Sequence, residues 1–207
     1  MKKTISIIGG GASAIMLACE LDPKKYSVSV FERNTALGRK FLVAGDGGLN
    51  LTHSENEKEF ILRYTPKDFL SKAFSHFSNK DLIAWINALG IETFVGSSGR
   101  VFPKKGIKPI DVLNAIEQKL KQQHVKINFK HEWLGFSETN ELIFKTTSGN
   151  KTVKSDLVIF CLGVASWPVT GSKGDWLDIF KEKKIDVIPF SASNCSFKIV
   201  WPKEIIK

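Results

Sequence analysis

A glycine-rich turn near the beginning of the chain has the residue types and spacing that hold the phosphates of a dinucleotide. Gly9, Gly11 and Ala14 fit the pattern G-x-G-x-x-A, an accepted variant of the dinucleotide fingerprint. Gly9 permits a tight turn, Gly11 has no Cβ that would keep a pyrophosphate away, and the small Ala14 lets a helix pack closely on a strand. The N–H groups of Ala12 and Ser13 would then lie at a helix N-terminus, which attracts phosphate.

An acidic side chain follows this turn at the distance that dinucleotide binding requires. Glu32 closes a segment rich in β-branched residues and comes 18 residues after Ala14. A carboxylate at this point accepts hydrogen bonds from ribose hydroxyls, and its charge repels a 2′-phosphate. We therefore expect a dinucleotide site that excludes NADP but does not separate NAD from FAD. The alternative is that the turn serves only the packing of the fold, because the glycine pattern by itself is weak evidence for a ligand.

The elements that position this motif are predicted from the spacing of apolar residues. Continuous apolar runs predict buried parallel strands, and apolar residues at helical spacing predict amphipathic helices. In chain order the prediction is a strand over 4–8, a helix over 12–21, a strand over 26–31, helices over 80–89 and 110–123, a strand over 125–129, a hairpin formed by 141–147 and 151–154, and a strand over 157–161. This order predicts an α/β fold with a parallel sheet and a β-meander.

The composition is that of a folded protein with a strongly basic surface. The 207 residues are 43% hydrophobic and 25% charged, with a net charge of +9. The longest apolar run, residues 157–164, is far shorter than the roughly 18 residues of a membrane span, so we expect no membrane segment. Only four of the 30 basic residues are arginines, and the lysines form short doublets scattered along the sequence. Since specific phosphate and base recognition favours arginine, we expect no nucleic-acid partner.

The three cysteines, Cys19, Cys161 and Cys195, lack the even number and the C-x-x-C spacing of disulfide frameworks and zinc sites. We therefore expect no metal site and a reducing, cytoplasmic location. The first residues imitate a signal peptide with a lipoprotein-type cleavage site before Cys19. Export is disfavoured, because three glycines at 9–11 interrupt the apolar region and the pattern continues as a βαβ unit.

The segment after Glu32, from Asn34 to His53, is rich in glycine and basic residues and can wrap a second phosphate-bearing part of a ligand. Together with the opening turn it resembles the BaiN-like flavoprotein family, which includes aminoacetone oxidase and NAD(P)/FAD-dependent reductases. The residues that match the family loop are Leu37, Gly38, Arg39 and Lys40 as a block, and Gly45, Gly47, Asn50 and Thr52 singly. The residues that depart from it, as in a separate branch of the family, are Asp46, Gly48, Leu49 and His53.

Two later segments carry the same resemblance. Residues 99–103 are similar to the family's G-R-V-F-P, and residues 161–175 resemble its L-G-G-x-S-Y-P-x-T-G-S-T-G-D stretch. The resemblance implies a Rossmann-like FAD-binding domain of the two-dinucleotide-binding flavoprotein type, with FAD as cofactor. The residues that it places at the cofactor are Gly9, Gly11, Ala12, Ser13, Glu32, Arg33, Gly38, Arg39, Lys40, Gly45, Asn50, Thr52, Trp133, Leu162 and Gly163. Two roles are possible for Trp133: its backbone contacts the adenine ring, or its side chain belongs to the core.

The resemblance covers only the N-terminal half of the family's proteins. It implies an incomplete FAD-binding domain over 1–188 and the start of a substrate domain over 189–207. The implied function is flavin-mediated hydride or electron transfer with NAD(P)H or an organic substrate. A non-catalytic nucleotide-binding or interaction module is the alternative, whereas an NAD-dependent dehydrogenase is disfavoured by the G-R-K loop. The expected partners are a small-molecule substrate and either a second copy of the chain or a complementing C-terminal half.

The sequence does not identify a catalytic acid or base, so the catalytic residues stay unassigned. Of the four histidines, His53 is the best candidate because it ends the glycine-rich segment. The serines have no paired histidine and aspartate, so nucleophilic hydrolase chemistry has no support. Flavin would supply the redox chemistry, and the protein would position it.

Overall fold

A four-stranded parallel sheet forms the centre of the fold. The computed structural model describes residues 1–44, 48–66, 68–166 and 168–191. The strands in these ranges are β1 (Lys3–Ile8), β2 (Tyr26–Glu32), β3 (Thr52–His53), β4 (Thr93–Val95), β5 (Arg100–Pro103), β6 (Lys126–Phe129), β7 (Glu132–Phe136), β8 (Leu142–Thr146), β9 (Gly149–Val153) and β10 (Leu157–Phe160). The helices are α1 (Ala12–Glu20), α2 (Arg39–Ala44), α3 (Glu57–Phe60), α4 (Ser71–Phe74), α5 (Asn79–Ala88), α6 (Pro109–Gln122) and α7 (Trp176–Glu182), with 3₁₀ turns at Ile61–Arg63 and Pro168–Thr170.

The strand order of the parallel sheet is β10-β1-β2-β6, so β1 and β2 lie at its centre. Ile7 of β1 is opposite Val30 of β2 and Ile159 of β10. Ile7 and Val30 are fully buried, as expected of parallel strands that are covered on both faces. Because all four strands run in the same direction, they end at one edge, where the segments that follow them come together.

Helices α1 and α6 contact each other and cover one face of the sheet. Ala14 and Ala18 of α1 are fully buried, so small side chains bring this helix close to the sheet, as the motif predicts for Ala14. Helix α5 begins with a capping box between Ser78 and Asp81, and α6 has Pro109 in its first turn. These signals place both helices within a residue of the ranges that the sequence predicts.

A three-stranded antiparallel meander of β7, β8 and β9 covers the opposite face. Ile8 and Phe31 contact it, each one residue out of phase with Ile7 and Val30, because alternate side chains of a strand point to opposite faces. The ring of Phe144 in β8 stacks on Phe31 with centroids 4.4 Å apart. The predicted parallel sheet with a β-meander is therefore confirmed.

Several short elements were not predicted from the sequence. Helix α2 occupies part of the segment 34–53 that is expected as a loop, and α7 follows the 161–175 segment. Strands β3, β5 and β4 form a small antiparallel sheet and have only two to four residues each. Elements of this length are too short for apolar periodicity to show them.

Cys19 is buried in the core, as its apolar surroundings predict, and burial raises the pKa of its thiol to about 11. Cys19 and Cys161 are both free thiols, and Cys195 lies outside the described residues. Within the described ranges, no helix combines the length and the apolar character needed to cross a membrane.

Candidate functional site

A cleft of about 900 Å³ opens at the edge where the four parallel strands end. Its walls are the turn after β1, the residues after β2, the start of α2, the turn between β6 and β7, and the segment after β10. In open α/β sheets, ligands bind outside the carboxyl ends of the strands. The volume lies within the roughly 300–1,000 Å³ typical of ligand pockets. This cleft is therefore the candidate functional site.

The turn after β1 contains three successive glycines, and each has a different surrounding. Gly9 has a φ of 103°, and a Cβ built on it would lie 2.3 Å from the carbonyl oxygen of Cys161. A Cβ on Gly10 would lie 2.6 Å from the Leu37 side chain and 2.8 Å from Glu32 Oε2. A Cβ on Gly11 would meet nothing within 4 Å. The first two glycines thus serve the fold, whereas the third leaves open space in the cleft.

The N-terminus of α1 faces this open space. Gly11 is the N-cap residue of α1, and no side chain caps the helix. Within the part of the chain that the structure describes, the N–H groups of Gly11, Ala12 and Ser13 have no hydrogen-bond partner. Unpaired N–H groups and the positive end of the helix dipole attract anions. The turn therefore has the geometry of a phosphate site.

Glu32 fixes the glycine turn as well as lining the cleft, and it is only 8% exposed. Its Oε2 accepts a hydrogen bond from the Gly10 N–H at 2.7 Å. Its Oε1 accepts bonds from the backbone and side-chain amides of Asn34 at 2.8 and 2.6 Å. A carboxylate has about four acceptor positions, so capacity at Oε2 is left for a ribose hydroxyl. The predicted ribose contact and a structural role therefore fall on the same side chain.

The segment 38–40 is tied to the glycine turn and to the opposite wall of the cleft. The Gly38 N–H donates to the carbonyl oxygen of Gly10 at 2.8 Å. The Arg39 guanidinium donates to the side-chain oxygen of Asn34 at 3.0 Å. Lys40 Nζ, on α2, donates at 2.5 Å to the backbone carbonyl oxygen of residue 166, which follows β10. Both cations are thus held at the cleft wall, where they favour an anionic ligand.

Leu162 and Gly163 follow β10 and line the wall opposite α2. The indole N–H of Trp176, at the start of α7, donates to the carbonyl oxygen of Gly163 at 3.1 Å. Burial raises the pKa of the Cys161 thiol, and a hydrogen bond with the Ser13 side chain offsets part of this effect. Because the thiolate is the reactive form, a raised pKa lowers the reactivity of the Cys161 thiol.

Trp133 belongs to the core and also lines the cleft. It is 7% exposed, and its ring centroid lies 4.7 Å from that of Phe160 and 5.4 Å from that of Phe180. Its indole N–H has no hydrogen-bond partner among the described residues. The side chain is therefore a core aromatic, which was one of the two alternatives. A contact of its backbone with adenine stays a prediction.

Of the fifteen residues that the resemblance places at a cofactor, all but two line the cleft. Thr52 lies instead in β3, paired with Val101, and Gly45 lies outside the described residues. His53, the sequence candidate for acid–base work, is not in the cleft lining. Its Nε2 lies 2.9 Å from the Ser98 carbonyl oxygen, and its Nδ1 accepts the backbone N–H of Glu55 at 3.2 Å. The imidazole ring of His53 therefore makes its contacts beside the small antiparallel sheet and not in the cleft.

Among the cleft-lining residues that sequence reasoning missed, three contact Glu32. Gly10 and Asn34 hold the Glu32 carboxylate, and the third consecutive glycine was a signal that could have indicated Gly10. His131 lines the cleft, and its backbone N–H donates to the Glu32 carbonyl oxygen at 3.0 Å. No sequence pattern marks His131, because it lies in the connection between the sheet and the meander. Among the described side chains, no group of three or more His, Cys, Asp or Glu could hold a metal ion.

Comparison with known families agrees with this architecture. Residues 3–206 match the family described as HI0933-like protein Rossmann domain. The chain belongs to this family. The match extends over almost the whole sequence, and the predicted Rossmann-like α/β fold class is confirmed.

Two curated relatives are longer than this chain. The ribosomal RNA dihydrouridine synthase of Haemophilus influenzae is 26% identical over 196 residues, which are 92% of this chain and 48% of that protein. The 3-dehydro-bile acid delta(4,6)-reductase of Clostridium scindens is 28% identical over 166 residues, or 78% of this chain and 39% of that protein. The chain therefore spans about half the length of these relatives or less. The family match and the second relative confirm the BaiN-like resemblance.

Solved structures share the fold at low sequence identity. THI4 of Thermovibrio ammonificans superposes with a TM-score of 0.54 at 14% identity, covering 88% of this chain and 62% of that one. The open conformation of a flavocytochrome c3 fumarate reductase superposes with a TM-score of 0.55 at 11% identity, covering 87% and 40%. These similarities are similarities of fold alone.

Proposed function

We propose that this chain binds FAD in the cleft and is the cofactor-binding part of a flavin-dependent oxidoreductase. The observation that carries the proposal is the open space at Gly11 beside three N–H groups without partners among the described residues. Packing does not explain glycine at this position, because a Cβ there would contact no protein atom. A bound pyrophosphate does explain it, since phosphate oxygens approach the backbone most closely where no side chain intervenes.

The rest of the cleft fits the other parts of the cofactor. The remaining acceptor capacity of Glu32 Oε2 suits a ribose hydroxyl, and Arg33 and Arg39 would attract the phosphates. The backbone at Trp133 would meet the adenine, and Gly163 would lie against the flavin half. When bound, FAD supplies hydride and electron transfer.

The role of this chain in the reaction is to bind, orient and shield the cofactor. Lys40 holds the segment after β10 against α2, which closes one side of the cleft. The Clostridium scindens relative is named as a reductase, so we propose that this protein reduces an organic substrate, with NAD(P)H as the reductant. We further propose that 1–188 form the FAD-binding domain and that 189–207 begin the substrate domain. A second copy of the chain or a complementing C-terminal half would complete the cleft.

The test is to purify the chain gently and to measure flavin released on heat denaturation by absorbance and fluorescence. We expect one FAD per chain, or uptake of one equivalent when FAD is added. Gly11→Val should abolish binding while the thermal unfolding midpoint changes little. Lys108→Val is the matched control, because it places the same side chain at the N-cap of α6, outside the cleft, and should bind FAD normally.

Each other outcome points to a different function. A folded sample that neither contains nor takes up FAD contradicts the proposal. Stoichiometric FAD that NAD(P)H does not reduce, in the full chain with its complementing half, favours the non-catalytic nucleotide-binding module. Binding of NAD without FAD would favour the dehydrogenase alternative.

A further inference from the structure

The edge of the parallel sheet opposite the cleft carries a row of exposed lysines. β1 and β2 begin at this edge, and the Lys3 N–H donates to the Lys25 carbonyl oxygen at 3.1 Å. Two lysine doublets that are separate in the sequence therefore lie side by side. Lys126 begins the outer strand β6, and Lys154 shortly precedes the other outer strand, β10. The exposed residues that we name the lysine edge are Lys2, Lys3, Lys24, Lys25, Lys126 and Lys154.

Carboxylates at this edge are fewer than the lysines, and each has a hydrogen-bond donor of its own. Asp22 Oδ1 accepts a backbone N–H of its own turn at 2.8 Å, and its Oδ2 lies 3.9 Å from Lys25 Nζ. Asp156 Oδ2 accepts two bonds of 2.7 Å from the backbone and hydroxyl at the start of β1. Glu20 Oε1 accepts the indole N–H of Trp85 at 2.6 Å. The edge therefore carries a net positive charge.

An aromatic side chain lies within the row. Tyr26, the first residue of β2, packs against the core with part of its side chain, remains partly exposed, and pairs with Lys3 in the sheet register. The residues that line a depression of about 590 Å³ here are Met1, Lys2, Lys3, Lys24, Lys25 and Tyr26. Neighbouring strands lie about 4.8 Å apart, so five of the lysines and Tyr26 extend over about 10 Å across β10, β1 and β2. Lys126 is level with Ser29, about 10 Å further along β2. Cations along a line with an aromatic ring among them are typical of surfaces that bind single-stranded nucleic acids.

We propose that the lysine edge binds the phosphodiester backbone of a single-stranded nucleic acid. Lysines are flexible point charges that pair with phosphates without reading base edges, so the binding is independent of sequence. A single strand can follow the row and stack one unpaired base on Tyr26, whereas a duplex offers no unpaired base. The expectation of no nucleic-acid partner rested on the small number of arginines and on lysines scattered along the sequence. Few arginines argue against base-specific recognition, which this proposal does not require, and the fold brings the six lysines of the lysine edge to one end of the sheet. This surface lies at the opposite edge from the cleft, so the two sites do not compete.

The test uses the full chain and a fluorescein-labelled 20-nucleotide oligo(U), with anisotropy measured from 50 to 300 mM KCl. Each phosphate contact on a single strand adds about −0.7 to the slope of log K against log salt. Three to six contacts therefore predict a slope of about −2 to −4. Replacing the six lysines of the lysine edge by glutamine should lower affinity at 50 mM KCl at least tenfold and flatten the slope. Tyr26→Leu should lower affinity about fivefold or more, because one stacked base is lost.

The matched control removes the same charge elsewhere on the surface. Its six Lys→Gln substitutions are at Lys58, Lys72, Lys104, Lys105, Lys183 and Lys184, all exposed. We expect this control to bind oligo(U) within about threefold of the unchanged protein. Equal loss in the two variants would show that only net charge matters and would overturn the proposal, as would no binding at 50 mM KCl. FAD content, measured on the same samples, should be unchanged in both variants, which separates this test from that of the cleft.

Discussion

Gly10 and Gly11 are adjacent, and the structure predicts opposite effects when each is replaced by alanine. At Gly10 the added Cβ would lie 2.6 Å from the Leu37 side chain and 2.8 Å from Glu32 Oε2, so both must move. The movement also breaks the 2.7 Å bond from the Gly10 N–H to Glu32. At Gly11 the Cβ has open space, and only the N-cap preference of α1 changes.

The two costs can be worked out separately. Overpacking costs about 1–3 kcal/mol, and a lost hydrogen bond to a charged group costs about 1.5–3 kcal/mol. Gly10→Ala should therefore lower the free energy of unfolding by about 2.5–6 kcal/mol, a large part of the roughly 5–15 kcal/mol of an ordinary protein. Gly11→Ala should cost less than about 1 kcal/mol, the usual range for a helix cap.

Urea unfolding followed by circular dichroism measures both values, and a flavin titration of the same samples measures affinity. Each kcal/mol also shifts the thermal midpoint by about 2–4 °C in a chain of this size. We expect Gly10→Ala to lose stability and, through Glu32, flavin affinity. Gly11→Ala should lose flavin affinity alone. Equal stability of the two variants would refute the assignment of Gly10 to the fold and Gly11 to the ligand.

Three further predictions concern residues at and beyond the cleft. Glu32→Ala should lower the free energy of unfolding by about 1.5–3 kcal/mol as well as flavin affinity, because Gly10 and Asn34 lose their acceptor, and unchanged urea stability would contradict this. Ser78→Ala should cost about 1 kcal/mol by removing the cap of α5, whereas Ser78→Thr should retain most of it in the same urea assay. Hydrogen bonds from the backbone N–H and hydroxyl at the start of β1 lower the pKa of Asp156, so the stability it adds is present above about pH 4 and is lost as pH falls through its folded-state pKa. Asp156→Asn should therefore flatten the fall of the thermal midpoint between pH 4 and pH 2, and an unchanged slope would count against it.

The sequence predicts the long elements and the phosphate turn because their signals are local. Continuous apolar runs mark the central strands, and the capping residues at Ser78 and Pro109 mark where α5 and α6 begin. The glycine pattern, the small Ala14 and the acid at Glu32 lie within one βαβ unit, whose geometry fixes their spacing. Each of these features can be predicted from the residues immediately before and after it in the sequence.

The parts of the fold and of the cleft that the sequence does not predict depend on contacts between segments that are far apart in the sequence. The bond from Lys40 to the segment after β10 joins parts of the chain more than a hundred residues apart, and no periodicity indicates it. His131 reaches the cleft only because the meander folds back beside β2. His53 ends the glycine-rich segment in the sequence, yet β3 pairs with β5 and holds its ring elsewhere. The lysine edge likewise exists only after the strands have aligned.

The position of β1 in the sheet has a consequence for the order in which the protein forms during translation. Its partner β10 comes about 150 residues later, and the two are joined by the Ser6–Ser155 hydroxyl contact of 2.6 Å and by the register from Ile5 to Ile8. At about 5–20 residues per second, β1 leaves the ribosome about 8–30 s before β10 does. The close approach of Gly9 to the Cys161 carbonyl forms just as late. The opening motif therefore acquires its binding geometry only when the last strand of the sheet has been synthesised.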